Sequence, residues 1–446
     1  MSLNAKKGTA SRRLPFHLGE CVPSTFEAGV AHVALFFMVF KVPGLSLFPA
    51  GAVVALFLLS VGLFRGTVQR TRDLGKLIST SLLAAIVGLF MRFLLTHEGD
   101  SLSSELEVLM MVGWVTAMPA IVVAGVWCFE RVDVYRGFVL LSAGAATSAA
   151  LKSNDLSWKF GIGLSLTLLA LALAARHGSF WTRLVLSTSA AVSAANDART
   201  MALISITVLA CTFIGKRRVK WIRMHPKTSF LGIAVGFAIM SYVMVQSMMS
   251  GLFGLEIQSR TIAQTSGGRD LLTSGRSEWA ASIELFKQSP FGFGIGVTPG
   301  DAMQSDALRA VTAAGGDFTA LQYWTVNVFG NRLDLHSNTV DLWAHFGVGG
   351  VALAAVMAWI FVKAFPLCVS AVRYLGAVPL FAVMSASWDL LFSPMADSDH
   401  IAYALIAAVV LMCFDGVGWP MDTVHPQIFG SSRELSYPMV KIGNDK

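Results

Sequence analysis

The chain has 446 residues, of which 54% are hydrophobic and 14% charged, with a mean hydropathy of +0.63 and a formal net charge of +7. A soluble domain carries about 25% charged residues, so this composition excludes an ordinary soluble globular protein. The apolar runs are continuous and do not alternate, which argues against a transmembrane barrel and predicts an all-α, polytopic membrane helical bundle.

Taken in chain order, hydropathy predicts about twelve transmembrane helices. They cover roughly 26–42, 46–64, 77–95, 107–128, 137–151, 159–175, 184–198, 200–215, 229–250, 340–362, 367–391 and 401–414. Lys6, Lys7, Arg12 and Arg13 precede the first run, which reads as a retained anchor and not as a cleaved signal peptide. Basic residues then alternate between connections. Arg65, Arg70, Arg72 and Lys76 fall on one side, as do Arg131 and Arg136, Arg176 and Arg183, the cluster from Lys216 to Lys227, and Lys363 with Arg373. The positive-inside rule puts these in the cytoplasm. The net charge is thereby explained by topology and calls for no nucleic acid.

This orientation divides the chain into four parts. Residues 1–250 hold nine transmembrane helices with a cytoplasmic amino terminus. Residues 251–335 form one large external, periplasmic loop. Residues 336–414 hold the last three helices, and 415–446 form a cytoplasmic tail with Pro420, Pro426 and Pro438. Cys128, Cys211, Cys368 and Cys413 lie in or beside spans and Cys21 lies in the amino-terminal segment, so no disulfide framework or Cys-based zinc site is visible. The fifth and seventh spans carry small-residue runs, Gly144–Ala150 and Ser187–Ala195, that predict close packing inside the bundle.

Within the loop, Glu278 to Ser289 reads as an amphipathic helix ended by Pro290, and Asp301 to Ala314 as a second short helix. Gly292, Gly294, Gly296 and Gly300 lie between them as a flexible turn. No strand-turn-helix context surrounds them, so they do not form a dinucleotide fingerprint.

Several residues are able to carry chemistry. Arg199 stands in the turn Asn196-Asp197-Ala198-Arg199-Thr200, where it either holds an anion or snorkels to lipid headgroups. Arg276 opens the loop helix, where its charge works against the helix dipole unless an anion is near. His336, at the start of the tenth span, is either a hydrogen-bonded cap or a proton acceptor near neutral pH. Asp389 is a buried candidate for pairing with an Arg. Asp397-Ser398-Asp399-His400 reads as solvated loop charge, and no metal site is expected. No Walker A, His-Glu-x-x-His or Gly-x-Ser-x-Gly motif appears.

Arg199, Arg276 with Trp279, Pro290 with Gly292 and Gly294, and His336 with Gly347 and Gly350 occur in an order that resembles the O-antigen ligase and Wzy-type polymerase superfamily. The resemblance covers about residues 190–365. One departure is that the family's His-Asn pair is here His336-Ser337-Asn338. The resemblance implies a glycosyltransferase of the bacterial inner membrane that moves a glycan from an undecaprenyl diphosphate carrier, without cofactor or metal. The acceptor would be lipid A-core for a ligase, or another lipid-linked glycan for a polymerase. It further implies that Arg199 and Arg276 bind the diphosphate and that His336 activates the acceptor hydroxyl; Asn338, Trp279 and Asp389 are read as candidate supporting residues. A polysaccharide or lipid transporter is the alternative of another class, but the paired repeats expected of one are not visible.

Overall fold

The computed structural model describes residues 24–40, 50–60, 72–96, 99–152, 157–252, 278–314, 322–330, 332–395 and 399–416, with scattered positions between 254 and 262. Arg276, Asp397 and the side chain of Asp399 lie outside the described residues.

The described residues are overwhelmingly helical. The first ten helices are α1 (Thr25–Phe37), α2 (Ala50–Ser60), α3 (Arg72–Leu95), α4 (Glu105–Phe129), α5 (Val134–Lys152), α6 (Gly163–Ala175), α7 (Ser179–Ala195), α8 (Arg199–Cys211), α9 (Lys216–Met224) and α10 (Pro226–Met249). Local chemistry sets several starts. Ser104 and Glu107 form a reciprocal capping box at α4, and Pro226 begins α10, where its missing N–H costs nothing. The loop contributes α11 (Glu278–Gln288), α12 (Asp301–Ala313) and a π-helical turn at Tyr323–Val328. The chain then continues through α13 (Asn338–Leu375), α14 (Val378–Phe392) and α15 (Asp399–Gly416).

Five described helical stretches are long and apolar enough to cross a membrane: Asp73–Leu94, Glu105–Phe129, Val134–Leu151, Lys227–Met249 and Asn338–Val372. Helices α1, α6, α8, α14 and α15 are apolar but shorter. This is the pattern of a membrane protein, although length alone does not carry all twelve expected spans. The boundary between the tenth and eleventh also differs from expectation. α13 runs through residues 363–375, Pro366 included, and the chain breaks at Gly376 (φ 62°) before α14. The apolar run at 367–391 therefore belongs to two helices.

Helix α15 is the most enclosed element, with Ile401 to Val410 nearly all inaccessible and Tyr403 bonded to Ser142 at 2.8 Å. α13 packs along α3 so closely that a Cβ on Gly349 would stand 2.7 Å from the Ala84 Cα. The small-residue expectation holds for α5, where Gly144 abuts the Phe36 carbonyl. α7 buries only one stripe, in which Ser189 lies 3.1 Å from both Thr167 and Ser205.

The two ends of the bundle differ. At one end Lys363 on α13 pairs with Asp73 on α3 at 2.6 Å, near the basic helix α9. At the other, the loop has a small core of its own, which includes Ala281, Leu285, Val297, Val311, Trp324 and Leu335 and reaches Trp343 and Ala344 of α13. A two-stranded antiparallel pairing, Ser101–Leu102 with Val297–Thr298, fastens this platform to the α3–α4 connection. Arg92 Nη1 adds a bond to the Ile295 carbonyl at 2.9 Å.

Candidate active site

The glycine run is a packed seam, not the flexible turn expected of it. Gly294 has φ +106°, and a Cβ there would stand 2.4 Å from the Arg92 backbone nitrogen. Only glycine allows both that conformation and that approach. Across the seam, Gly347 interrupts α13 with φ 56° and ψ −140°, and its missing side chain leaves room for Met91 and the Phe291 carbonyl. These contacts set the loop directly over the start of α13.

His336 sits at that junction. Its neighbour Ser337 is the helix cap, with Oγ accepting from Val340 N at 3.4 Å, so His336 is not the cap. The chain reaches Ser337 through an uncommon left-handed conformation at His336 (φ 55°). Its surroundings hold it there. The His336 backbone N–H donates to Asp334 Oδ1 at 3.1 Å, and Nδ1 lies 3.3 Å from the same oxygen. Arg332 Nη2 reaches Asp334 Oδ2 at 3.4 Å. Behind them Asp341, almost fully buried, accepts backbone N–H bonds from Leu335 at 2.7 Å and Met395 at 3.0 Å.

The other face of the imidazole meets the loop. Tyr323 Oη lies 3.3 Å from His336 Nε2, with the rings edge to face at 5.7 Å. Tyr323 in turn donates its hydroxyl proton to Glu278 Oε1. Glu278 opens α11, where a carboxylate suits the helix dipole. Burial pushes the His336 imidazole down. The hydrogen bond and charge of Asp334, with the charge of Glu278, outweigh it and raise the pKa to about 9. Burial likewise works against the Asp334 carboxylate, but the hydrogen bond and charge of His336 and the charge of Arg332 hold it below its usual range.

The supporting residues fall beside this group. Asn338 Nδ2 bridges the Asp389 and Ser393 carbonyls, at 3.0 and 2.9 Å, and so satisfies the end of α14. Asn338 follows the Ser337 cap as the first residue of α13 and is buried against α14. Asp389 pairs with His400 at 3.2 Å and accepts from Ser393 Oγ at 2.7 Å, not from the Arg expected of it. Trp279 stacks on Phe392 at the end of α14, with centroids 5.6 Å apart.

Arg199 forms a second centre. It begins α8, with Nε donating to Asp197 Oδ1 at 2.8 Å and Nη2 reaching Thr261 Oγ1 at 3.4 Å. Asp197 also meets Lys159 at 3.3 Å and takes a left-handed conformation (φ 54°). Burial raises the Asp197 pKa, but the hydrogen bond and charge of Arg199, followed by those of Lys159, hold it below the ordinary value. Two cations thus flank one carboxylate at a helix start, a geometry suited to anions.

Sequence reasoning singled out His336 but not its partners. Asp334 stands two residues away, and its spacing was a usable signal. Tyr323 and Glu278 are 13 and 58 residues off in sequence, and nothing local joins them to His336. Lys159, in the π-helical turn Trp158–Ile162, reaches Asp197 beside Arg199 because that turn packs on α7, where Trp158 Nε1 donates to Ser193 Oγ at 2.8 Å. No protein-family model matches the chain, and no curated protein matches its sequence.

Proposed function

We propose that this protein is a membrane glycosyltransferase of the O-antigen ligase type. It would move a glycan from undecaprenyl diphosphate to a sugar hydroxyl of lipid A-core at the periplasmic face of the inner membrane. The observation that carries this reading is the polar group around His336, built where a folded loop meets the end of an apolar helix bundle. A lipid-linked donor presents its diphosphate at that level, with its chain in the bilayer.

Arg199, with Lys159 beside it, supplies cationic contacts for the diphosphate, and Arg276 on the loop supplies another. Arginine gives planar two-point contacts to phosphate and stays charged. The acceptor oxygen forms a bond to the anomeric carbon. The bond from that carbon to the phosphate oxygen breaks, and its electron pair leaves with the diphosphate, whose charge the cations stabilise. A single displacement inverts the centre. The diphosphate linkage supplies the driving energy, so no nucleotide is required. A polymerase would share all of this and differ in the acceptor, which the loop surface selects.

The test uses the purified chain with an undecaprenyl diphosphate-linked oligosaccharide and rough lipopolysaccharide, in excess EDTA and without nucleotide. The expected result is a lipopolysaccharide band of higher mass. Products that remain on the carrier as longer glycans would identify a polymerase. No transfer to either acceptor would remove the transferase reading.

A further inference from the structure

The hydrogen bonds around His336 fix where its protons are. Tyr323 spends its hydroxyl proton on Glu278, so its oxygen faces His336 Nε2 with lone pairs. Nε2 must therefore carry hydrogen across that 3.3 Å contact. Nδ1 faces two acceptors, the Asp334 Oδ1 and the Asp334 carbonyl, both at 3.3 Å, so it carries hydrogen too. A ring with two N–H groups is an imidazolium and has no lone pair with which to take a proton.

The charges facing the ring agree with this from every side. Asp334, with Arg332 behind it, comes from the segment before α13, and Asp341 stands behind Asp334 on the first turn of α13. Tyr323 comes from the π turn and Glu278 from α11. Among the described residues, two carboxylates, Asp334 and Glu278, act on the ring, with the Arg332 guanidinium behind Asp334. Glu278 is the member of this set with its carboxylate at a helix start and only partly buried. Tyr323 occupies Oε1, which leaves Oε2 to meet an incoming hydroxyl.

Building on the transferase reading, we propose that Glu278, and not His336, is the general base. Its Oε2 takes the proton of the acceptor hydroxyl while that oxygen bonds to the anomeric carbon. His336 remains an imidazolium beside the departing diphosphate and contributes positive charge there. Tyr323 is a positioning residue that holds the carboxylate and the imidazolium in one line. The proton on Glu278 passes to solvent after the elongated product leaves.

The experiment is the pH–rate profile of the full chain in lipid nanodiscs, with the donor and rough lipopolysaccharide named above. A required imidazolium makes kcat fall as pH rises through about 9; a neutral imidazole base makes it rise over the same interval. Glu278→Gln, nearly isosteric, should lower kcat by about 10²–10⁴-fold, the usual share of a general base, with donor affinity and melting temperature unchanged. Glu278→Asp should recover part of the loss. Nitrogen-15 spectra of labelled His336 should show two protonated ring nitrogens at pH 7.5, and Tyr323→Phe should lower the pH at which that signature disappears. A rate that climbs through pH 9, or near-normal turnover in Glu278→Gln, overturns the assignment and leaves the transferase reading standing. An inactive wild-type protein overturns that reading instead. If Glu278→Gln does not fold, the wild-type profile decides alone.

Discussion

The buried Asp341 carboxylate accepts the Leu335 backbone N–H at 2.7 Å, immediately before His336. Its other oxygen accepts Met395 N at 3.0 Å, so one side chain ties the segment before α13 to the connection after α14. Asp341→Ala strands two buried donors. Each costs about 1–3 kcal/mol when left unsatisfied, and the melting temperature should fall accordingly. Asp341→Asn keeps one acceptor oxygen and should lie between the two. Unchanged melting of the Ala variant would mean that the segment repacks without this tie.

The raised pKa of His336 makes stability depend on pH with a definite sign. The folded value of about 9 exceeds the ordinary value of 6.5. The contribution is therefore complete below about 6.5 and is lost as pH rises through about 9. Asp334, whose pKa is lowered, acts in the opposite direction: its contribution is present above the ordinary carboxylate value and is lost as pH falls through the folded value. Thermal melting should weaken from pH 7 to pH 10, and His336→Asn should flatten that slope.

Replacing Arg199 by Lys keeps the charge and loses the two-point geometry. Under the transferase reading this should cost roughly 1.5–3 kcal/mol in transfer, the scale of a hydrogen bond to a charged group. Combining Arg199→Ala with Arg276→Ala should be less damaging than the product of the single effects, because both would serve one leaving group. Additive losses, or a defect confined to the acceptor, would separate the two residues.

The expected orientation is open to a direct check. Alkaline phosphatase should be active when fused after Ala310 and silent when fused after Trp221, since the cluster from Lys216 to Lys227 favours the cytoplasm. The reverse pattern would place His336 on the wrong side for a periplasmic acceptor.

The helical, membrane-type character was legible because apolar composition over some twenty residues is a local property, although five described helices, against about twelve expected spans, are long enough to cross a membrane. The loop helix at Glu278 was legible for the same reason, from Trp279, Ile283 and Phe286 at helical spacing. Contacts between distant segments were not. Asp389 invited an Arg partner by its charge, yet its partner is His400 on α15. The glycines from Gly292 to Gly296 suggested flexibility by type, whereas Gly292 and Gly294 let backbone approach backbone and Gly296 makes room for the Ser103, Arg92 and Val108 side chains. Tyr323 and Glu278 became neighbours of His336 only through the loop's own small core.

The span of α13 has a consequence for the setting in which the protein works. From Asn338 to Lys363 the helix rises roughly 38 Å at 1.5 Å per residue, more than the hydrocarbon thickness of about 30 Å. One end holds the polar residues beneath His336, and the other is pinned to α3 by the Lys363–Asp73 pair. A helix longer than its bilayer tilts or kinks to fit, and this one already bends at Gly347. Acyl-chain length in the surrounding lipid thus becomes an input to the angle of the first turns of α13. Transfer rates in nanodiscs of increasing acyl-chain length should register that dependence, since a mismatch is taken up by tilt or bending of the helix.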